Sequence, residues 1–305
     1  MLFWNIREVG AGRRKQLVEL CNWHDFKFIC LQETIKDTFK SRELNYFSRG
    51  RDFSWSWIAS NEHSGGLLMG VDRDLAMVTK EEKGTFCHFF ELKNVSDNFQ
   101  WCLFNVYGHV QDNRKPEFLN ELAKMISTCL LPFIMGGDFN LVRRVEDKIS
   151  GNVDVGWMQA FNDLIDRTAI KELHRGGSRY IWSNKQVLPV QSVLDRVFMN
   201  NTWEDRYNLV RVYATTRVGS DHNPLIVCLE EEMAHPPRYF RFDPMWLTQD
   251  GFKDWLISRW PSRFKIKCLD HWHVLAGKLR KSMKGWGANF ESDMRKHEQQ
   301  LLASC

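Results

Sequence analysis

Asp138 and Asn140 stand two residues apart in Gly136-Gly137-Asp138-Phe139-Asn140, directly behind the apolar run Leu130-Leu131-Pro132-Phe133-Ile134-Met135. The run reads as a short strand buried on both faces. At its end, residues two apart point to the same side, so Asp138 and Asn140 face one way while Phe139 faces the core. A carboxylate and an amide together at the rim of an apolar sheet are costly unless bonded to something. The two glycines let another backbone or a ligand come close. Gripping and activating a water beside a phosphate is the chemistry this pairing suits.

Five other segments carry an isolated polar group at a strand end. Leu2-Phe3-Trp4 runs into Asn5, Phe28-Ile29-Cys30-Leu31-Gln32 into Glu33, and Leu103-Phe104-Asn105-Val106 into Tyr107. Asp195 starts Arg196-Val197-Phe198-Met199, and Asp221-His222 precedes Asn223-Pro224-Leu225-Ile226-Val227. If the last two strands run antiparallel to the others, all these groups meet at one rim. Each taken singly also has a plain reading: Asn5 as a turn former, Glu33 as a helix cap or a partner of Lys36, Tyr107 as a core aromatic, Asp195-Arg196 as a surface ion pair. Three carboxylates (Glu33, Asp138, Asp221) with amides suit a hard divalent cation that takes oxygen ligands and keeps waters. A histidine beside a carboxylate is held in one tautomer and stays positively charged longer. Phosphoryl transfer needs a positioned water and compensation of charge on the non-bridging oxygens.

The elements that would position these groups are short strands broken by turns. The clearest are residues 2–6, 28–32, 53–58, 66–71, 86–92, 101–107, 130–135, 180–183, 193–199 and 223–229. Helices fit 13–25, 116–129 and 155–168, the second with Pro116 in its first turn. Many strands with few intervening helices favour a layered α/β sandwich with helices outside over a fully parallel sheet. Composition shifts near Glu230-Glu231-Glu232 and Pro236-Pro237, which marks a boundary between a 1–231 domain and a 232–305 extension. In that extension residues 252–260 and 275–302 read as helical.

The 305 residues include 42 Lys and Arg against 38 Asp and Glu, for a net charge of +4. That balance is uneven, with −1 over residues 1–231 and +5 over 232–305. A basic extension on a near-neutral body is compatible with a polyanionic partner. The eight cysteines form no C-x-x-C pair and several lie inside apolar runs, a pattern of reduced thiols rather than disulfides or a zinc site. No apolar run approaches the ~18 residues of a membrane span, and the N-terminus lacks a cleavable signal pattern. The expectation is an intracellular protein that is not secreted.

Trp4-Asn5-Ile6-Arg7, Leu31-Gln32-Glu33-Thr34, Asn105-Val106-Tyr107-Gly108, Gly136–Asn140, Leu194-Asp195-Arg196 and Ser220-Asp221-His222-Asn223-Pro224 occur in that order. The order resembles that of the endonuclease/exonuclease/phosphatase superfamily, and the resemblance spans residues 1–231. In flavour it is similar to the endonuclease domain of plant LINE-type (non-LTR) retrotransposons. Ser64-Gly65-Gly66-Leu67-Leu68, Tyr180-Ile181-Trp182-Ser183-Asn184, Phe240-Arg241-Phe242-Asp243 and Met245-Trp246-Leu247 carry that likeness.

The resemblance implies a four-layer, deoxyribonuclease-like α/β sandwich of two mixed β-sheets flanked by helices, with a C-terminal helical extension. It implies phosphodiester hydrolysis with Mg²⁺ or Mn²⁺, DNA as the partner through its phosphate backbone, and with DNA a nuclear location. Glu33 would ligate the metal, with Asn5 nearby and Asp221 as a further ligand. Asp138 would orient and deprotonate the attacking water, and Asn140 would fix its geometry or contact the phosphate. His222, oriented by Asp195, would bond the scissile phosphate or act as acid/base, and Tyr107 would contact the phosphate or stabilise the leaving oxygen.

Two departures stand out. Gly108-His109-Val110 follows Tyr107 where the family shows Gly-Pro or Pro-Asn, so His109 replaces an Asn contact or that contact is missing. Arg7 stands where repair-type relatives carry an acid, which leans towards the retroelement group. Residues 232–305 resemble the connector that would precede a reverse transcriptase, so the chain resembles a truncated or domesticated fragment. Two rival readings follow. One is a phosphatase of a small or lipid phosphate, disfavoured because Gln191-Ser192-Val193-Leu194 precedes Asp195 where inositol phosphatases show Trp-Cys. The other is an inactive fragment that only binds nucleic acid.

Overall fold

The computed structural model describes residues 1–60, 65–149, 152–177, 180–184, 190–215, 220–229, 242, 244–260, 272, 275–280, 282–283 and 285–286. The chain divides into two compact units, Met1–Met233 and Ala234–Cys305.

Strands of the first unit, in chain order, are β1 (Leu2–Asn5), β2 (Phe28–Gln32), β3 (Phe53–Ile58), β4 (Leu67–Asp72), β5 (Ala76–Lys83), β6 (Cys87–Asn94), β7 (Gln100–Tyr107) and β8 (Phe133–Asp138). They continue with β9 (Lys148–Ile149), β10 (Lys171–Glu172), β11 (Arg175–Gly177), β12 (Trp182–Ser183), β13 (Gln191–Ser192), β14 (Asp195–Met199), β15 (Arg211–Ala214) and β16 (Leu225–Cys228). Its helices are α1 (Ala11–Trp23), α2 (Ser41–Phe47), α3 (Lys115–Thr128), α4 (Val155–Thr168) and α5 (Asn201–Arg206). One mixed sheet has the order β11-β15-β16-β1-β2-β4-β3, a second β10-β14-β8-β7-β6-β5, and a small third sheet β12-β13-β9.

The alternation of side chains along each strand builds the layers. Phe3, Phe28, Cys30, Met69 and Val71 of the first sheet meet Phe90, Trp101, Leu103, Ile134 and Val197 of the second in a shared core. The opposite-parity residues Leu2, Trp4, Ile29 and Leu31 pack outward with Leu17 and Cys21 of α1 and with Leu44 and Phe47 of α2. On the second sheet, Phe104, Phe133, Met135 and Phe198 pack outward against Phe118 and Leu122 of α3 and Phe161 and Leu164 of α4. Helices, sheet, sheet and helices therefore form four layers, as the resemblance implies. Among the described residues no helix is long and apolar enough to cross a membrane.

Strand direction decides where the polar ends go. β1 is parallel to β2, and β7 to β8. β14 runs antiparallel to β8 with Asp195 opposite Asp138, and β16 runs antiparallel to β1 with Leu225 opposite Phe3. The C-terminal ends of β1, β2, β7 and β8 thus share a rim with the N-terminal ends of β14 and β16. The condition set by the sequence is met.

Several boundaries differ from expectation. β8 starts at Phe133 and runs through Asp138, while Leu130 is 93% exposed and lies outside it. The strand expected over 180–183 shrinks to the two residues of β12. β5 was not foreseen because it is an exposed strand rich in Lys and Glu, and α2 and α5 are too short to show a clear period.

Gly136 and Gly137 sit inside β8, and what approaches them is protein. A Cβ on Gly136 would lie 2.8 Å from the Phe3 ring of the facing sheet, and one on Gly137 would lie 2.0 Å from the Val106 carbonyl oxygen. Gly137 also holds φ +140°, where a side chain is strained. Gly137→Ala should destabilise the protein by about 3 kcal/mol or more in urea unfolding, because backbone on β7 cannot yield. A loss under about 1 kcal/mol would show that β8 can shift.

In the second unit, residues 244–248 form a 3-10 turn and α6 (Phe252–Arg259) follows. Trp246, Phe252, Leu279 and Met283 are buried together, with Trp255 and Trp286 packed on them and the Trp286 ring 4.6 Å from Phe252. These indoles build a core, while Trp260 is exposed. The acidic triplet, the proline pair and most of the helix expected over 275–302 lie outside the described residues, as do Ser64, Phe240, Arg241 and Asp243.

Candidate active site

Asn5, Tyr107, Asp138 and Asp195 share the parity of the residues that face the gap between the two sheets, so at the rim their side chains converge. Below them, Gln32 and Asn105 lock the sheets together. Gln32 Nε2 donates to Asn105 Oδ1 at 2.6 Å, and Asn105 Nδ2 donates to the carbonyls of Leu31 at 3.0 Å and Leu68 at 3.2 Å.

Asp138 is buried at the end of β8. Its Oδ2 accepts from Asn5 Nδ2 at 2.8 Å and Asn140 Nδ2 at 3.2 Å, and its Oδ1 from the Asn140 backbone N–H at 2.9 Å. Asn140 reaches this position in the left-handed region at φ +51°, where its Nδ2 also donates to the Gly108 carbonyl at 2.8 Å. Burial pushes the Asp138 carboxyl well above the usual carboxylate range, against the counteracting field of His222, with neighbouring Asp195 adding to the rise.

His222 Nδ1 lies 2.7 Å from Asp195 Oδ2 and Nε2 lies 3.8 Å from Asp138 Oδ2. Burial alone would strip the ring of its proton, but Asp195 and Asp138 outweigh it and lift the imidazole to about 9. The ring is therefore an imidazolium that donates from Nδ1 to Asp195 and carries a proton on Nε2 beside Asp138. Local bonds hold it there: Ser220 Oγ accepts from the His222 backbone N–H at 3.1 Å and donates to the Asn5 carbonyl at 2.8 Å, and Trp4 Nε1 donates to the His222 carbonyl at 3.2 Å.

Glu33 and Asp221 form a second acidic pair. Arg7 Nη1 bonds Asp221 Oδ2, and Arg7 Nε lies 4.0 Å from Glu33 Oε1. Trp182 Nε1 donates to the same Asp221 oxygen at 3.0 Å. Burial works against the Asp221 charge, yet His222 and Arg7 hold its carboxyl below the usual range. Tyr107 is half-buried nearby, and burial together with the Glu33 and Asp138 carboxylates raises its phenol, which stays protonated. Arg7, Glu33, Tyr107, Asp138, Asn140 and His222 line a cavity of about 480 Å³ whose wall also includes Lys115, Lys148, Trp157 and Trp182.

The topology has counterparts among solved structures. The AP endonuclease LMAP from Leishmania major superposes with a TM-score of 0.59 at 16% identity, over 73% of this chain and 85% of that one. A Neisseria 3' phosphatase, NExo, bound to a product DNA hairpin, gives 0.58 at 15% identity over 75% and 98%. The endonuclease domain of TRAS1, a telomere-specific non-LTR retrotransposon, gives 0.56 at 15% identity over 75% and 96%. Residues 101–226 match the family described as endonuclease-reverse transcriptase. The chain has the endonuclease/exonuclease/phosphatase fold. No curated protein matches the sequence.

Within this fold every residue singled out from the sequence reaches the same rim, but not every pairing was foreseen. Asn5 has both amide atoms engaged by protein, the nitrogen on Asp138 and the oxygen on the Arg7 backbone N–H at 3.1 Å, so it braces Asp138. Glu33 pairs with Arg7 and not with Lys36, which is taken by Glu43 at 2.5 Å. Arg196 is buried and points away from Asp195 to Asp147 and Glu172, both at 2.5 Å, so Asp195-Arg196 is no surface ion pair. His109 Nδ1 accepts from the Gln111 backbone at 3.0 Å in its own turn. Two contributors had gone unassigned. Arg7 lies two residues beyond Asn5, a spacing that could have flagged it. Trp182 had no local signal, since its partner Asp221 is 39 residues away.

Proposed function

We propose that this chain is a metal-dependent phosphodiester hydrolase that nicks DNA, derived from a LINE-type non-LTR retrotransposon. The observation that carries the reading is the convergence of Asn5, Glu33, Tyr107, Asp138, Asp195, Asp221 and His222 at one sheet rim, with Asp138 braced by three hydrogen bonds from Asn5 and Asn140. The endonuclease-reverse transcriptase match and the DNA hairpin in one structural neighbour support a nucleic-acid substrate. A DNA substrate in turn supports a nuclear location.

The donor chemistry fits a divalent cation at Glu33 and Asp221. Both are carboxylates suited to Mg²⁺ or Mn²⁺, and both already share a cation in Arg7. Asp138, Asp195 and His222 also place ligand atoms within 4.8 Å of one another. There, His222 Nδ1 is already engaged by Asp195 Oδ2 at 2.7 Å. A metal bound by Glu33 and Asp221 would supply positive charge beside the phosphate.

The chain's own groups then divide the remaining work. Asp138, raised by burial, takes a proton from a water aimed at phosphorus, and Asn5 and Asn140 fix its two oxygens. His222, held protonated by Asp195, donates from Nε2 to a non-bridging oxygen where negative charge develops. Tyr107 donates its retained phenolic proton to the phosphate or the leaving oxygen. The basic 232–305 extension would add contacts to the DNA backbone.

The deciding experiment incubates the full chain with Mg²⁺ and supercoiled plasmid. Conversion to nicked circle supports the reading. Release of phosphate from an inositol phosphate with the plasmid left intact makes the protein a phosphatase, and DNA binding with neither reaction makes it a binding relic.

A further inference from the structure

The rim contains two carboxylate pairs, one buried and one partly buried, and each faces one cation of the protein. The Asp138–Asp195 pair holds His222, whose ring is packed inside with its side chain 4% exposed. The Glu33–Asp221 pair holds Arg7, whose side chain is 50% exposed while Glu33 and Asp221 are 16% and 8% exposed. The anions are fixed in the wall and the cation reaches in from solvent. Trp182 pins one Asp221 oxygen, and Glu33 sits on a turn at φ +52° whose carbonyl accepts the Glu8 N–H at 2.6 Å, so neither acid can follow a moving partner. A long flexible arm can leave such a pair and rehydrate, whereas the two acids left behind would be uncompensated.

We propose that Arg7 is a resident counter-ion of Glu33 and Asp221 that a divalent cation must displace to bind. This rests on the reading of those two acids as the metal's carboxylates. Arg7 then sets the affinity for the metal from outside the ligand set: the guanidinium offsets part of the charge of the acidic pair in the metal-free protein, and entry of the cation frees it at the mouth of the cavity it lines.

The test titrates the full-length chain with Mn²⁺ at constant ionic strength, following free Mn²⁺ by electron paramagnetic resonance with no substrate present. Arg7→Gln should bind Mn²⁺ about tenfold tighter or more, because it removes a charge in direct contact with the acids. Arg7→Lys, which keeps a cation on the arm, should stay within about threefold of wild type. Lys115→Gln removes the same charge from the cavity wall without touching either acid and should change affinity by less than about twofold. Asp221→Asn should weaken binding. Equal affinities for wild type and Arg7→Gln, with Asp221→Asn still weaker, would overturn the counter-ion role alone. An equal gain from Lys115→Gln would also overturn it, leaving only a general field effect. If no variant binds Mn²⁺, the assignment of Glu33 and Asp221 to the metal falls, and the role of Arg7 falls with it.

Discussion

Asp138→Asn should lower plasmid nicking by about 10³-fold or more while leaving the protein as stable as before, or more so. The two effects have one cause. The Asp138 carboxyl is buried and held above the usual carboxylate range, so keeping it ionised at neutral pH works against folding. An amide of the same shape removes that burden and is expected to gain about 1 kcal/mol in urea unfolding above pH 7. The amide cannot take a proton from water, while its carbonyl oxygen can still accept from Asn5 and Asn140 Nδ2, which share one oxygen of Asp138. Loss of activity together with loss of stability would mean that Asp138 is a structural bond acceptor and not a base. Measuring single-turnover nicking beside unfolding separates the two.

Asp195→Asn should reduce nicking by about 10²–10⁴-fold at pH 7.5, with the deficit growing as pH rises. The Asn side chain still accepts from His222 Nδ1, so ring position survives while the charge behind it does not. With burial lowering the imidazole and Asp138 left as the closest anion, the ring loses its proton at lower pH, and Nε2 no longer donates to phosphate. Stability of the metal-free protein gives an independent readout. The folded imidazole, at about 9, sits above its ordinary value near 6.5. Its contribution is therefore complete below about pH 6.5 and is lost as pH rises through about 9. Urea unfolding in chelator should show wild type losing stability between about pH 6.5 and 9.5 and Asp195→Asn losing much less. Parallel pH profiles for the two proteins would sink the assignment of His222 as a resident cation.

Much of this arrangement was legible because strands alternate. Phe3 and Asn5, Ile134 and Asp138, and Val197 and Asp195 keep one parity through each strand, so knowing which residues are apolar told which polar ends would turn inward. The strand order was less accessible. β5 reads AMVTKEEK, whose exposed charges hide a strand that pairs with β6 from Asn94 to His88, and β15 carries no long apolar run. Register with a neighbour supplies what such a strand's own composition lacks. The apolar start of the run at Leu130 misled for the opposite reason: Leu130 and Leu131 are apolar yet precede the paired segment.

Residue types and local spacing determined the inventory of this protein: the chemical groups at the rim, the face of each strand they occupy, and the identity of Asp138 and Asn140 as one unit. They could do so because the two-residue repeat of a strand and the geometry of a turn are local. The pairings at the rim were decided by the fold. Asn5 braces Asp138 across 133 residues, Arg7 meets Asp221 across 214, and Asp195 meets His222 across 27. The strength and even the sign of an electrostatic effect depend on distance and burial, which antiparallel β14 and β16 set by bringing their first residues to the ends of β8 and β1. So the sequence alone could name a carboxylate, a histidine and an arginine, while the closed sandwich made one a raised acid, one a lasting cation, and one the partner of two buried acids.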